Sequence, residues 1–450
     1  MLSDMKNLIY LSMVVLLFCT SCKKFLDEKS NQNQAIPETL VDLQALLDQY
    51  QVLNYVDGNA AEISTDDVYM NDADLGARPE NERNMYTWQR SNIFLQDGNE
   101  WFYNYRAINR TNVVLEAIAK IGKTAGNAAE WDNVSGQAYF IRAKNHLRGL
   151  YIWGNAYGEQ SPLDLGVPLR LGSDFNVPSV RATVAQGYAQ VVYDLQRAVQ
   201  ALPLKAVHVM RPSKPAAYGL LARVYLSMRK YELAKLYADS CLSLKADLLD
   251  YNSLNAAASY PIGQFNVEVL QDSYFTSPML NNARGKINPA LYALYEANDL
   301  RKAVFFSDNK NGTYGFKGSY EGNSNFFSGV AVNEVLLIRS ECLARAGRLS
   351  EALADLNRLL RSRYKKNTFI DRVGSDQQVV LADILLERRK ELLLRGLRWV
   401  DVKRLNMENA GISFSRSYKG VIYQLKANST GFALPIPERV IEVAGLPQNP

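Results

Sequence analysis

The stretch NEVLLIRSECLARAGRLSEALADLNRLL, residues 333–360, reads as two short helices joined at Ala346-Gly347-Arg348. Leu349, Ala352, Leu353, Leu356, Leu359 and Leu360 recur at helical spacing and lay one apolar stripe along the second helix. Gly347 can take left-handed backbone at little steric cost, which stops the first helix there. Ser350 is the expected N-cap of the second helix. Ser340, Cys342, Ala344 and Ala346 are small, so another helix can approach closely. A hairpin of this kind cannot bury its apolar face alone and needs stacked neighbours.

Residues 215–244 follow the same plan: Ala222, Tyr225, Tyr231, Ala234 and Cys241 fall at offsets resembling the small and aromatic positions of a tetratricopeptide (TPR) repeat. Just before them, Val191, Leu195, Ala198 and Pro203 resemble the second half of such a repeat. The expected fold is therefore mainly α, with TPR-like stacked helical hairpins around 100–152, 188–244 and 333–361 and long aromatic-rich irregular insertions. The bland alternative is an irregular helical domain.

Residues 1–22 have the marks of a lipoprotein signal peptide. Lys6 gives a positive start, and residues 8–18 form an apolar run too short to span a bilayer. Thr20 and Ser21 precede Cys22, which resembles the lipobox whose cysteine is lipidated, although Cys19 stands where Leu is more usual. An ordinary cleaved leader is the alternative. Residues 23–34 read as a polar tether, and 35–450 as a single domain. Of four cysteines, Cys241 and Cys342 sit on helical small-residue positions and are expected to be buried free thiols. A net charge of +5 on 450 residues is mild and does not suggest nucleic acid.

Two segments leave helical period, residues 55–95 and the insertion 249–330. Both concentrate aromatics, Asn and Gly, and long irregular segments inside a compact domain are usually functional or disordered; the aromatics argue against disorder. Sugars present C–H faces that stack on aromatic rings, while their hydroxyls meet polar side chains. The candidate ligand residues are Tyr69, Tyr86 and Trp88 in the first segment and Tyr274, Tyr295, Tyr314 and Tyr320 in the second. Phe275, Tyr292 and Phe316 belong to the same set. Trp88 is the first choice for a platform because it lies in a polar stretch; Trp101 and Trp399 sit on helical stripes and are assigned to the core.

Catalytic chemistry finds little support. The two histidines, His146 and His208, stand in no metal-binding spacing, and no nucleophile or phosphate-loop motif occurs. No cofactor is called for. Asp66-Asp67 and Asp72/Asp74 are expected to be solvated loop acids; a glycosidase pair needs a defined separation across a cleft, and a Ca²⁺ site is unsupported. The basic run Arg388, Arg389, Lys390, Arg395, Arg398, Lys403 and Arg404 could mark a membrane-surface or nucleic-acid face. The competing expectation pairs it with Glu387, Glu391 and Asp401 as scaffold.

Several segments, in order, resemble the SusD/RagB family of surface nutrient-binding lipoproteins of Bacteroidetes. They are SCKKFLD at 21–27, the W-x3-Y-x2-I-N helix at 101–109, and Arg142-Ala143 followed by the turn at 157–169. The others are EVLLIRSECLARAGRLSEAL at 334–353, ERRKELLLRGLRWVDVKR at 387–404, and the LPIP tail. The resemblance implies an all-helical TPR-containing fold, lipid anchoring at Cys22 in the outer membrane and no catalysis. It also implies a SusC-like TonB-dependent transporter as partner, and a glycan or other nutrient as ligand. Two alternatives stay open: a TPR scaffold that binds only protein, and a lipid-anchored glycosidase.

Overall fold

The computed structural model describes residues 37–55 and 59–450. The leader, Cys22 and the 23–34 tether lie outside the described residues. Helix accounts for 48% and strand for 9%, which makes the chain mainly α.

The quoted hairpin forms as Val332–Arg345 and Leu349–Arg361. Gly347 takes the left-handed conformation at φ 75° between them. Ser350 is not the N-cap: the second helix begins at Leu349, and Arg348 stands before it without a side-chain cap bond. The helix is held instead by its buried stripe, Ala352, Leu353, Leu356, Leu359 and Leu360. Ser340 donates to Ala352 O at 2.8 Å, so the small position brings the two helices into hydrogen-bond contact.

Two further antiparallel hairpins complete the stack. Glu100–Ile121 packs on Ala128–Trp153, which packs in turn on Val184–Ala201. Lys214–Ser227 pairs with Tyr231–Leu244, and both pack on Val332–Arg345. Thr39 and Thr183 each begin a helix with a reciprocal capping box, to Asp42 and Gln186. At Gly219 an added Cβ would lie 2.8 Å from Val330 Cγ1, so the missing side chain lets the helix meet the strand behind it. Cys241 and Cys342 are free and buried, as expected.

The basic run is scaffold. Gln377–Glu391 and Arg398–Asn406 are separate helices, with Gly396 at φ 72° in the break between them. Arg388 binds Asp401 at 2.8 Å, and Arg404 binds Asp401 at 2.7 Å and Glu341 at 2.6 Å. Below them lies a wholly buried ionic cluster. Arg301 bonds Asp299 and Glu387 at 2.7 Å each, and Arg363 bonds Glu268 and Glu391 at 2.7 Å each. Such charges are tolerated inside a fold because each is both paired and hydrogen-bonded.

The two irregular segments are not loose. The first holds short helices at Asn59–Ile63, Asp72–Gly76 and Glu80–Tyr86. The insertion contributes short strands to several two-stranded antiparallel sheets. Among the described residues, no helix is long and apolar enough to cross a membrane.

Candidate functional site

A sheet of two very short strands joins the two irregular segments: Val68 pairs with Ile287 and Tyr69 with Lys286. Val68 points into the core while Tyr69 is half-buried at the surface, as strand alternation requires. Lys286 reaches Asp74 at 2.7 Å, and Asn288 donates its side chain to Asp66 O at 3.0 Å and its backbone N–H to Asp67 O at 2.9 Å.

The acids at the start of this seam are tied to the scaffold. Asp66 accepts from Arg389 at 2.9 Å and Arg398 at 2.8 Å, and Asp67 from Arg389 at 2.8 Å. The sequence expectation of solvated loop acids is corrected here: Asp67 is buried. The two arginines hold Asp66 below the usual carboxylate range against the effect of its burial. They replace water as the partners of both acids.

Beside the seam, strand Phe306–Asp308 pairs with Tyr314–Phe316. Tyr314 lies on Tyr292, ring against ring, with Lys302 Nζ 5.0 Å from the Tyr292 centroid. Both tyrosines are half-buried. Partial burial and the Tyr314 hydroxyl push the Tyr292 phenol up to about 12, so it stays protonated at neutral pH. An added Cβ at Gly315 would lie 3.0 Å from Asn282, so glycine here lets that amide side chain lie against the strand. Asn281, Asn282 and Arg284 occupy the turn leading to Lys286, and none of the three is fully buried. Ring faces among amides and cations suit a polyhydroxylated ligand.

The candidates named from sequence separate into two groups. Tyr69 and Tyr314 are both half-buried: Tyr69 lies on the seam, and Tyr314 lies on the strand pair beside it, stacked on Tyr292, which sequence reasoning placed in the set without favouring it. Tyr86, Tyr274, Tyr295 and Tyr320 are buried. Tyr86 accepts from Met70 N at 3.0 Å, Tyr274 packs between Tyr50 and Tyr55, and Tyr295 donates to Lys390 O at 2.8 Å. Tyr320 donates to Glu268 and accepts from Asn333 in the buried ionic cluster. Three of these hydroxyls meet buried partners, while that of Tyr274 reaches the exposed Gln51 at 3.4 Å; all four rings are packed in the interior.

Trp88 also differs from its expected role. Its indole N–H donates to Ser64 O at 3.0 Å, and its ring stacks on Phe414 with centroids 6.2 Å apart. The Arg416 guanidinium lies 4.7 Å from the Trp88 ring and 3.7 Å from that of Tyr86. Arg416 also donates to Ile63 O, Thr65 O and Tyr86 O, so the hairpin that carries it clamps the first irregular segment. Trp101 and Trp399 are buried, as assigned, and so is His146. Among the described residues, no group of three or more His, Cys, Asp or Glu is placed to hold a metal ion.

Stacked helical hairpins with two irregular segments joined by a short sheet define the fold class. The chain belongs to the SusD/RagB family. A family model described as starch-binding associating with the outer membrane matches residues 24–226, and a SusD family model matches 332–450. A SusD superfamily protein from Bacteroides thetaiotaomicron is 21% identical with a TM-score of 0.74, covering 92% of this chain and 100% of its own. One from Bacteroides vulgatus is 20% identical at 0.75, covering 92% and 99%. A laminarin-binding SusD-like protein is 17% identical at 0.63, covering 91% and 97%. At these identities the likeness is one of fold. Comparison with curated proteins finds no match.

Proposed function

We propose that the protein is a non-catalytic, cell-surface binding lipoprotein that captures an oligosaccharide and delivers it to a SusC-like TonB-dependent outer-membrane transporter. The observation that carries the glycan reading is the seam and the strand pair beside it, where Tyr69 and the stacked Tyr292–Tyr314 pair occur with the half-buried Asn281, Asn282 and Arg284. Family membership and the laminarin-binding neighbour support it. Lipidation at Cys22 would confine the protein to the plane of its transporter and raise their effective concentration. A surface for that partner is offered by Leu163, Phe175, Val177 and Val180, apolar side chains 55–88% exposed on one irregular stretch.

Calorimetry of the chain against a panel of oligosaccharides, with hydrolysis followed on the same panel, tests the reading. Binding without cleavage is the expected result; cleavage would make it an enzyme, and no binding a scaffold. Affinity purification from native membranes in mild detergent should recover a large β-barrel. Cys22→Ala should release the protein from the outer-membrane fraction, and unchanged membrane association would remove the anchor.

A further inference from the structure

The C-terminal end of the Ala128–Trp153 helix opens onto a cavity of about 540 Å³. That is ample for a monosaccharide-sized ligand, since small-molecule pockets run from roughly 300 to 1,000 Å³. Its lining shares no residue with the tyrosine seam.

Two cations line it, and their partners are main-chain oxygens. Buried Lys403 donates to Tyr151 O at 2.9 Å and Gly154 O at 2.6 Å. Half-buried Arg229 donates to Tyr157 O at 2.6 Å. Neither pairs with a carboxylate among the described residues, unlike the arginines of the buried ionic cluster. Burial alone pushes the Lys403 amine down to about 7. The carbonyl end of the helix accounts for a lysine at this position. It does not account for the second cation or for the open volume beside both.

Ser429 belongs to the same lining, and its buried Oγ has no hydrogen-bond partner. The acids of the lining sit further out, with Glu159 exposed and Asp164 half-buried, and Asn155 is half-buried beside them. The Lys403 donor therefore lies deeper than the exposed Glu159 carboxylate. That order suits a ligand with an anionic group at one end and hydroxyls at the other.

We infer that this cavity is a second ligand site, separate from the seam, that takes an acidic sugar unit. Its carboxylate or sulfate group meets Lys403, Arg229 and Ser429, and its ring hydroxyls meet Asn155, Glu159 and Asp164.

Calorimetry on the full chain in detergent tests this with glucuronate, galactose 6-sulfate, glucose and inorganic sulfate; the two acidic sugars distinguish carboxylate from sulfate ester. At least one acidic sugar should bind about tenfold or more tighter than glucose. Arg229→Met should weaken that binding by about tenfold. Ser429→Ala removes a hydroxyl that the fold does not use, so it should weaken acidic-sugar binding with an unchanged melting temperature. Tyr314→Ala should leave acidic-sugar binding intact, which separates this site from the seam. Equal affinity for glucose, equal affinity for sulfate alone, loss of acidic-sugar binding in Tyr314→Ala, or unchanged affinity in a folded Ser429→Ala would each overturn the assignment.

Discussion

Tyr292 and Tyr314 lie face to face, with ring centroids 3.7 Å apart and planes 11° from parallel. One face of Tyr314 is covered by Tyr292; no other ring is stacked on it among the described residues. The pair thus makes a half-buried aromatic shelf, held by the strand pairing of Tyr314 with Asp308. Tyr314→Ala should reduce oligosaccharide affinity by about 1–3 kcal/mol, taking base stacking on aromatics as the guide, with a melting temperature close to the parent. Calorimetry and a thermal melt on one preparation decide it: full affinity in a stable variant would remove Tyr314 from the site.

Trp88 should behave in the opposite way. Its N–H is engaged by Ser64 O, and its ring lies against Phe414 and Arg416. Trp88→Ala should cost about 3 kcal/mol of stability, as truncation of packed aromatics does, and leave glycan affinity within about twofold once folded protein is counted. A denaturant melt showing parental stability with lost binding would restore it as a platform.

Asp272 and Glu321 lie close enough for their charges to act on each other, and neither Asp272 Oδ1 nor Glu321 Oε1 has a hydrogen-bond partner. Two buried carboxyls so placed cannot both ionise cheaply, so the pair holds one proton between them. Burial first, and then the Asp272 charge, raise Glu321 well above its ordinary value of 4.5. Above that value the unfolded chain releases the proton while the folded chain retains it. Stability should therefore fall as pH rises, by about 1.4 kcal/mol per pH unit while the difference lasts. Glu62, raised to about 8 chiefly by burial, adds to the same trend. Melting temperatures from pH 5 to 8.5 should decline for the parent and decline less for Glu321→Gln; parallel curves would dismiss the shared proton.

Arg363 is fully buried and holds Glu268 and Glu391 together. Arg363→Met leaves two buried carboxylates short of a partner and should cost about 3–5 kcal/mol. Chemical denaturation measures this directly. A loss below about 1 kcal/mol would mean that water or a relaxed neighbour replaces the guanidinium.

The helical stack was legible in the chain because its signals are local. The stripe from Leu349 to Leu360, Gly347 between two helices, and the small residues at Ser340 and Cys342 all act within a few positions of one another. The seam was legible only as composition. Tyr292, Tyr295, Tyr314 and Tyr320 look alike in sequence, and their fates depend on partners far away. Tyr295 meets Lys390 O, Tyr320 meets Glu268, and Tyr292 finds Tyr314. Trp88 misled for the same reason: its ring and that of Tyr86 lie under Arg416, a residue more than 300 positions further on. The basic run was readable as scaffold because Asp401 lies one helical break from Arg388, whereas its bonds to Asp66 and Asp67 could not be foreseen.

The stitch between Asp74 and Lys286 spans 212 positions of sequence. During synthesis the first half of the seam therefore waits, unpaired, until about two hundred further residues have emerged, while the two helices of each hairpin follow one another directly in the chain. Closing so long a loop costs chain entropy that only the assembled scaffold, through Arg389 and Arg398, is placed to offset. The candidate ligand surface is accordingly secured only after the later Arg389 and Arg398 helices exist, and chains truncated before Lys286 would carry the early helical hairpins without it.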